Sequence, residues 1–359
     1  MHPPLKRVDE PVHLRHNRAK LYTERMDHVD FYGTLGTSCR EKQTIFELFQ
    51  AGMTGARLNL SHTTLEDSGT LLREHFWPAA KQAGVQARLI IDLQGPELRV
   101  GVLDAPVRLD EGSQVRLGAA GIPIPPEAVQ AAEPGCQISL DDSALLLEVL
   151  TQEQDALLCK VLRGGVLESR KSLAVLGREV PSPTLTEEDL SNLDRAADYG
   201  VTDVLQPFVR GREDLETLRR ALDERGLPHV RIMAKIENQR GLEHLEEIIE
   251  GADIICIARG DLGNNMPLWE LPSVQKRIAR CCRAHHRPFF VVTQMLWSMQ
   301  QRPVPTRAEV CDIYNAVLDG ADALMLTGET AVGTYPVSAM EYLVKTANRA
   351  VCDLQNEAF

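Results

Sequence analysis

The sequence predicts an α/β fold: a (β/α)8 barrel of the TIM type carrying a small β-rich domain inserted between its third strand and third helix. Three observations carry that prediction. Short apolar stretches bounded by turn residues alternate with amphipathic helical segments, as in βα repeats around a parallel sheet. Eight such stretches occur, over 31–36, 55–61, 86–94, 201–209, 230–237, 254–262, 288–296 and 321–327, and eight units close a barrel. Their spacing is regular except between the third and fourth, where about a hundred residues intervene. A structureless loop of that size is improbable in a compact domain.

Taken in order, the second stretch reads Ala56-Arg-Leu-Asn-Leu-Ser61, with Arg57, Asn59 and Ser61 on one face. The third ends near Asp92. The intervening segment carries strand-like Val107-Arg-Leu, Gln114-Val-Arg-Leu, Cys136-Gln-Ile-Ser-Leu and Ala156-Leu-Leu-Cys-Lys-Val-Leu, with prolines at 123, 125, 126, 181 and 183. The chain thus divides into 1–100 (barrel, strands one to three), 101–180 (insert) and 181–359 (barrel, strands four to eight). Thr186-Glu-Glu-Asp189 resembles a capping box and marks the return to the barrel. The fifth stretch, Ala234-Lys-Ile-Glu237, puts Lys235 and Glu237 on the same side, and Leu242, Leu245, Ile248 and Ile249 then form one helical stripe. The sixth runs from Ile254 through Arg259-Gly-Asp261, the seventh ends at Thr293-Gln294, and a last helix covers about 336–354.

The bulk properties narrow the function. With 359 residues, 43% hydrophobic and 25% charged, the chain has an ordinary soluble composition with room for a barrel plus an insert. Its net charge of -12 disfavours nonspecific nucleic-acid binding, which needs a basic face. No apolar run approaches the roughly 20 residues that span a bilayer. Met1 to Lys20 lacks the apolar core of a secretory signal. The eight cysteines show no zinc-like spacing and read as reduced thiols, so a cytoplasmic location is expected. Trp269 and Trp297 read as packing residues, and Arg283, His285, His286 and Arg287 as a solvated helix end.

Catalysis in such barrels occurs at the C-terminal strand ends, and polar residues from five strands converge there. Buried singly they would cost several kcal/mol each unless paired or ion-bound. A satisfied ion-pair network closing the barrel is one reading; the other is a reaction site. Glu237 and Asp261 suit a divalent cation, magnesium or manganese by their hard oxygen donors. Asn59, Ser61 and Asp92 offer a weaker field that fits a monovalent cation, while Arg57 and Lys235 supply positive charge for phosphate oxygens. Gly260 lets backbone amides approach an anion. These residues alone describe a metal-dependent enzyme for a small phosphorylated or carboxylated metabolite.

The segments holding them resemble the pyruvate kinase family. Gly52-Met-Thr-Gly-Ala-Arg-Leu-Asn-Leu-Ser-His62, Asp92-Leu-Gln-Gly-Pro-Glu-Leu-Arg-Val-Gly101, Lys235-Ile-Glu-Asn238 and Ala258-Arg-Gly-Asp-Leu-Gly263 are similar to family motifs, in order. So are Thr293-Gln-Met-Leu-Trp-Ser-Met299, Pro305-Thr-Arg-Ala-Glu309, Asn315 to Asp322 and Thr327-Gly-Glu-Thr330. The resemblance implies a lid domain after strand three and transfer of a phosphoryl group from phosphoenolpyruvate to ADP, giving pyruvate and ATP. It implies Mg2+ (or Mn2+) on Glu237 and Asp261, and K+ on Asn59, Ser61, Asp92 and the Leu93 carbonyl. Lys235, Thr293 and Arg57 would be catalytic; Ala258, Arg259 and Gly260 would hold the substrate carboxylate. His62, Arg99 and Lys171 would face nucleotide, Asp141-Asp142 resemble lid aspartates, and Glu97 matches potassium-dependent members.

Departures fall on the nucleotide side: Thr37 stands for a proline, Thr63 for a glycine, Asp67 for an aromatic residue, Cys311 for a serine and Asn265 for an acid, and 171–177 has lost its lysine- and glycine-rich character. Another metal-enolate reaction on pyruvate or oxaloacetate, an aldolase or decarboxylase, and a non-catalytic regulatory role are the alternatives. With the last barrel helix so near Phe359, the resemblance leads to the expectation that the family's C-terminal regulatory domain is missing, and a homo-oligomer through the barrel is a further expectation.

Overall fold

The computed structural model describes residues 29–141, 144–178, 180, 182–264 and 266–356. Residues 1–28, Asp142, Pro181 and Asn265 therefore lie outside the described residues. Three barrel staves come first: β1 (Asp30–Thr34), β2 (Gly55–Asn59) and β3 (Arg88–Asp92). The chain then leaves the barrel for β4 (Val107–Leu109), β5 (Gln114–Gly118), β6 (Gln137–Leu140), β7 (Leu145–Gln152), β8 (Ala156–Arg163), β9 (Gly165–Leu167) and β10 (Leu173–Val175). It returns for β11 (Asp203–Gln206), β12 (Arg231–Ile236), β13 (Ile254–Ala258), β14 (Phe289–Val292) and β15 (Ala323–Met325). The eight staves close in the order β1-β15-β14-β13-β12-β11-β3-β2, every pairing parallel. Seven of the predicted stretches contain a stave whole, and the first, 31–36, overlaps β1, which begins one residue earlier at Asp30.

Helices follow the staves as α1 (Lys42–Gln50), α2 (Trp77–Ala83), α3 (Pro126–Ala131, within the insert), α4 (Glu187–Tyr199), α5 (Arg212–Glu224), α6 (Gln239–Glu243) and α7 (Leu245–Gly251). Then come α8 (Arg259–Asn264), α9 (Leu271–Ala284), α10 (Arg307–Leu318), α11 (Gly328–Ala331) and α12 (Pro336–Gln355). They turn one apolar stripe inward. On α5 that stripe is Leu215, Leu218 and Leu222, all buried, each contributing about 1.5–3 kcal/mol. Among the described residues no helix is long and apolar enough to cross a membrane.

The period of two along each stave sets what lies inside the barrel. On β12, Met233 belongs to the interior cluster with Tyr32, Leu205, Cys256 and Phe290, whereas Ile232 and Ala234 belong to the outer core under the helices. Arg231 and Lys235 share Met233's parity and sit at opposite ends of the same inward row. At the N-terminal end Arg231 pairs with buried Asp203 at 2.6 Å, and Tyr32 donates to Asp30 at 3.2 Å. That end is a plug of paired charges. At the other end Lys235 and its neighbours meet a cavity.

Three expectations need correction. The sixth stretch is a strand only to Ala258, and Arg259 to Leu262 form the start of α8. Ser61 lies in the turn after β2 and is not on its face. Trp269 and Trp297 are 82% and 54% exposed, because both sit in connections beyond the packed stripe of their neighbouring helices.

Between β3 and α4 the insert has its own core, including Leu117, Ile138, Leu147, Leu157 and Val161. A five-stranded sheet ordered β10-β6-β7-β8-β5 and the antiparallel pair β4-β9 build it. β7 was not predicted. Its Leu-rich run resembles a helix, yet Leu145, Leu147 and Val149 are buried in strict alternation.

Candidate active site

A cavity of about 1560 Å³ opens at the C-terminal end of the staves. Asp92, Lys235 and Glu237 stand at its floor, Arg57 and Asn59 beside them, and Ala258 to Asp261 with Thr293 across it. His62 lies on its wall. Ser61, Leu93, Arg99 and Lys171 do not line it.

The floor is a row of alternating charge. Arg57 Nη2 lies 2.6 Å from Asp92 Oδ2, and its Nε donates to the same oxygen at 2.8 Å. Arg57 Nη1 also donates to Thr34 Oγ1 at 3.3 Å. Lys235 Nζ is 3.6 Å from Asp92 Oδ1 and 2.9 Å from Glu237 Oε1. The pairing exists because Asn59 and Asp92 share a register position on β2 and β3, which brings Arg57 one step below Asp92. The Phe208 amide, held at a positive φ of 51°, donates to Glu237 Oε2 at 2.9 Å and fixes the carboxylate's second oxygen.

Burial alone would lower the Lys235 ammonium, but Asp92, Glu237 and Asp261 together hold it above its usual range. Burial, helped by Asp261, holds Glu237 up at about 8 against the pull of Lys235 and the Phe208 amide. Burial also lowers His62, reinforced by Arg99 and Arg57, so its ring is neutral near pH 7.

Do these residues fit metal ions? Asp261 is close enough to bear electrostatically on both Glu237 and Lys235. Two carboxylates lining one cavity are a suitable pair of hard donors for a divalent cation. Among the described residues no group of three or more His, Cys, Asp or Glu is arranged around a metal position, so such a cation would depend on ligand and water oxygens to complete its shell. Asp92 Oδ1 is buried, accepts no hydrogen bond among the described residues and faces the Lys235 ammonium at 3.6 Å, so it keeps lone pairs that could ligate an ion.

The opposite wall is braced from behind. Thr293 and Gln294 both have positive φ, 78° and 55°, an uncommon and costly conformation for side-chain-bearing residues. The Thr293 carbonyl accepts from Arg259 Nη2 at 2.7 Å and Nε at 3.2 Å, while Arg259 Nη1 pairs with Asp312 at 2.6 Å. Buried Glu329 accepts from the Leu296 amide at 3.0 Å and the Thr327 amide at 2.8 Å, joining the loops after β14 and β15. A Cβ on Gly260 would lie 3.2 Å from Thr293 Cγ2, so α8 begins tight against this bend.

Two predicted nucleotide contacts are engaged elsewhere. Arg99 pairs with Glu97 at 2.6 Å and donates to the Arg170 carbonyl, which keeps it at the neck of the insert. Lys171 lies 3.0 Å from Asp141 within the insert. Leu93 is buried, its amide donating to the Leu205 carbonyl. Asp67 accepts from Thr64 Oγ1 at 2.9 Å, whereas Thr37 and Thr63 line the cavity. Sequence reasoning missed Phe208, Asp312 and Glu329 as supports. Only Glu329 carried a signal, an acid inside a recognised motif.

A closed parallel barrel with a buried row of paired acids and bases at its C-terminal mouth defines an α/β-barrel protein whose cavity lies where such barrels carry their active sites. The family model described as pyruvate kinase, barrel domain, matches residues 26–340. A pyruvate kinase of Aeropyrum pernix is 39% identical over 325 residues, covering 90% of this chain and 70% of its own length. Those of Geobacillus stearothermophilus and Chlamydia pneumoniae are each 36% identical, covering 88% and 91% of this chain but 56% and 69% of their own lengths. The chain belongs to the pyruvate kinase family.

Proposed function

We propose that the chain transfers the phosphoryl group of phosphoenolpyruvate to ADP, forming pyruvate and ATP. The observation that carries this is Lys235, a cation 14% exposed and set between the carboxylates of Glu237 and Asp92 at the cavity floor. Phosphoryl transfer needs placed positive charge more than covalent chemistry, and Lys235 supplies it at the cavity floor.

Glu237 and Asp261 are the residues that would hold Mg2+ or Mn2+, whose chemistry is Lewis-acid polarisation of phosphoryl and carboxylate oxygens. Lys235 offsets charge on the phosphoryl group in transit, and Arg57 does so from the β2 side. The main chain from Ala258 to Gly260 receives the substrate carboxylate, which a side chain at position 260 would crowd. The bond between phosphorus and the enol oxygen breaks, and the enolate carbon gains its proton on the Thr293 side. Asn59, Ser61, Asp92 and the Leu93 carbonyl are the K+ donors in this reading. The insert closes over the cavity as a lid and brings Arg99 and Lys171 toward the nucleotide, which accounts for their distance from the cavity in the present conformation. A cytoplasmic setting agrees with the eight cysteines being free thiols, and a homo-oligomer through the barrel completes the proposal.

The test is pyruvate formation with phosphoenolpyruvate, Mg2+ and K+, with and without ADP. Pyruvate that appears only with ADP supports the proposal. Proton exchange at pyruvate without ADP turnover would assign the site to another enolate reaction, and silence in both assays would leave a binding protein.

A further inference from the structure

The insert is joined to the barrel by two chain segments, one leaving β3 and one entering α4. A single buried carboxylate holds both. Asp189, 0% exposed, accepts from the Gln94 amide at 2.9 Å and from the Gly95 amide at 3.1 Å on the outgoing leg. On the returning leg its Oδ2 accepts from the Thr186 amide at 2.9 Å. An ordinary capping box needs only the Thr186 contact, so the bonds to residues 94 and 95 positions away in sequence are additional. The outgoing leg is pinned from its other side too: Gly95 has φ +61°, and a Cβ there would collide with the Pro207 ring. Buried Asp214, by contrast, serves the returning leg alone, through Thr184.

We propose that Asp189 is a positioning residue that fixes the angle between insert and barrel, and through it the closure that aligns phosphoryl donor and acceptor. The proposal rests on the phosphotransfer reading above. Both oxygens are used as acceptors, and a carboxylate offers acceptors only. Asn at this position has a single acceptor oxygen. In the Oδ2 place it still accepts from Gly95 and Thr186 but turns its NH2 toward the Gln94 amide, and in the Oδ1 place it loses the Thr186 bond.

The test compares full-length wild type, Asp189→Asn and Thr186→Ala. The Thr186 hydroxyl caps α4 through the Asp189 amide at 3.0 Å and touches neither carboxylate oxygen. Its loss therefore weakens the helix while leaving the pin. Without substrates, amide exchange at Gln94 or at Thr186, whichever faces the new NH2, should accelerate at least about tenfold in Asp189→Asn, the scale of one lost charge-assisted hydrogen bond. In turnover, kcat should fall at least about tenfold while KM for phosphoenolpyruvate, bound by barrel residues, stays within about twofold. Thr186→Ala should lower the melting temperature but keep both readouts within about twofold of wild type.

Unchanged exchange at both Gln94 and Thr186 in Asp189→Asn overturns the pin. Faster exchange with unchanged kcat overturns its role in positioning, and so does an equal loss of kcat in Thr186→Ala. If wild type makes no pyruvate, the phosphotransfer reading fails on its own, and the exchange measurement still decides whether the pin exists.

Discussion

Replacing Lys235 by Met keeps most of the side chain's length and removes its charge. The charge is present throughout the working pH range, because Asp92, Glu237 and Asp261 outweigh the effect of burial and hold the ammonium above its usual range. A phosphoryl oxygen about 4 Å from that ammonium interacts with it by about 4 kcal/mol at an effective dielectric of about 20. That energy corresponds to about three decades of rate. Lys235→Met should therefore lower kcat for ADP-dependent pyruvate formation about 1000-fold, read in a coupled assay with saturating Mg2+ and K+. Cation binding should survive, since the substitution leaves Asp92, Glu237 and Asp261 with one positive neighbour fewer. Burial already raises Glu237 to about 8 against the pull of Lys235. Without that pull its carboxyl rises further, and the variant's uptake of Mn2+ should strengthen as pH increases. A variant that keeps more than about a tenth of wild-type kcat would remove Lys235 from the charge-offsetting role.

Asp214 is pulled upward by burial, but bonds from Arg210 and Thr184 bring its carboxyl net below the usual range. A depressed carboxylate contributes stability above its unfolded pKa, and that stability is lost as pH falls through the folded value. Asp214→Asn should then cost about 3 kcal/mol at pH 7 in denaturant unfolding, with the gap to wild type closing in acid; a gap that is constant with pH would contradict the ion-pair account. Burial raises Cys39 to about 11 and Cys159 to about 12, while Cys311 and Cys352 are exposed. A thiol reagent at pH 8 should modify Cys311 and Cys352 well before Cys39 and Cys159, and mass spectrometry of the labelled peptides checks the order.

The staves were legible because alternation and turn chemistry survive in the sequence, and the parity that joins Lys235 to Glu237 needs only counting by two. The site's inward face followed from the same count. Alternation could not show where β13 stops: Arg259-Gly-Asp261 reads as a polar continuation of a strand, and the turn into α8 depends on close packing of Gly260 against Thr293. The Leu-rich β7 was obscured by composition that suits a helix, and only its neighbours β6 and β8 make it a strand. Asp189 read as a helix cap and Glu329 as part of a motif. Their wider roles depend on amides 94 and 33 residues away, a relation that no local pattern encodes. Arg99 and Lys171 were placed by resemblance alone. In the structure they pair with Glu97 and Asp141.

The claim on which the rest stands is that Glu237 and Asp261 serve one divalent cation beside Lys235. Titration of Mn2+ followed by electron paramagnetic resonance, on wild type, Glu237→Gln and Asp261→Asn, tests it directly. The account predicts one tight Mn2+ per wild-type chain, with affinity reduced at least about tenfold in each variant. Undiminished Mn2+ binding in either variant would contradict it.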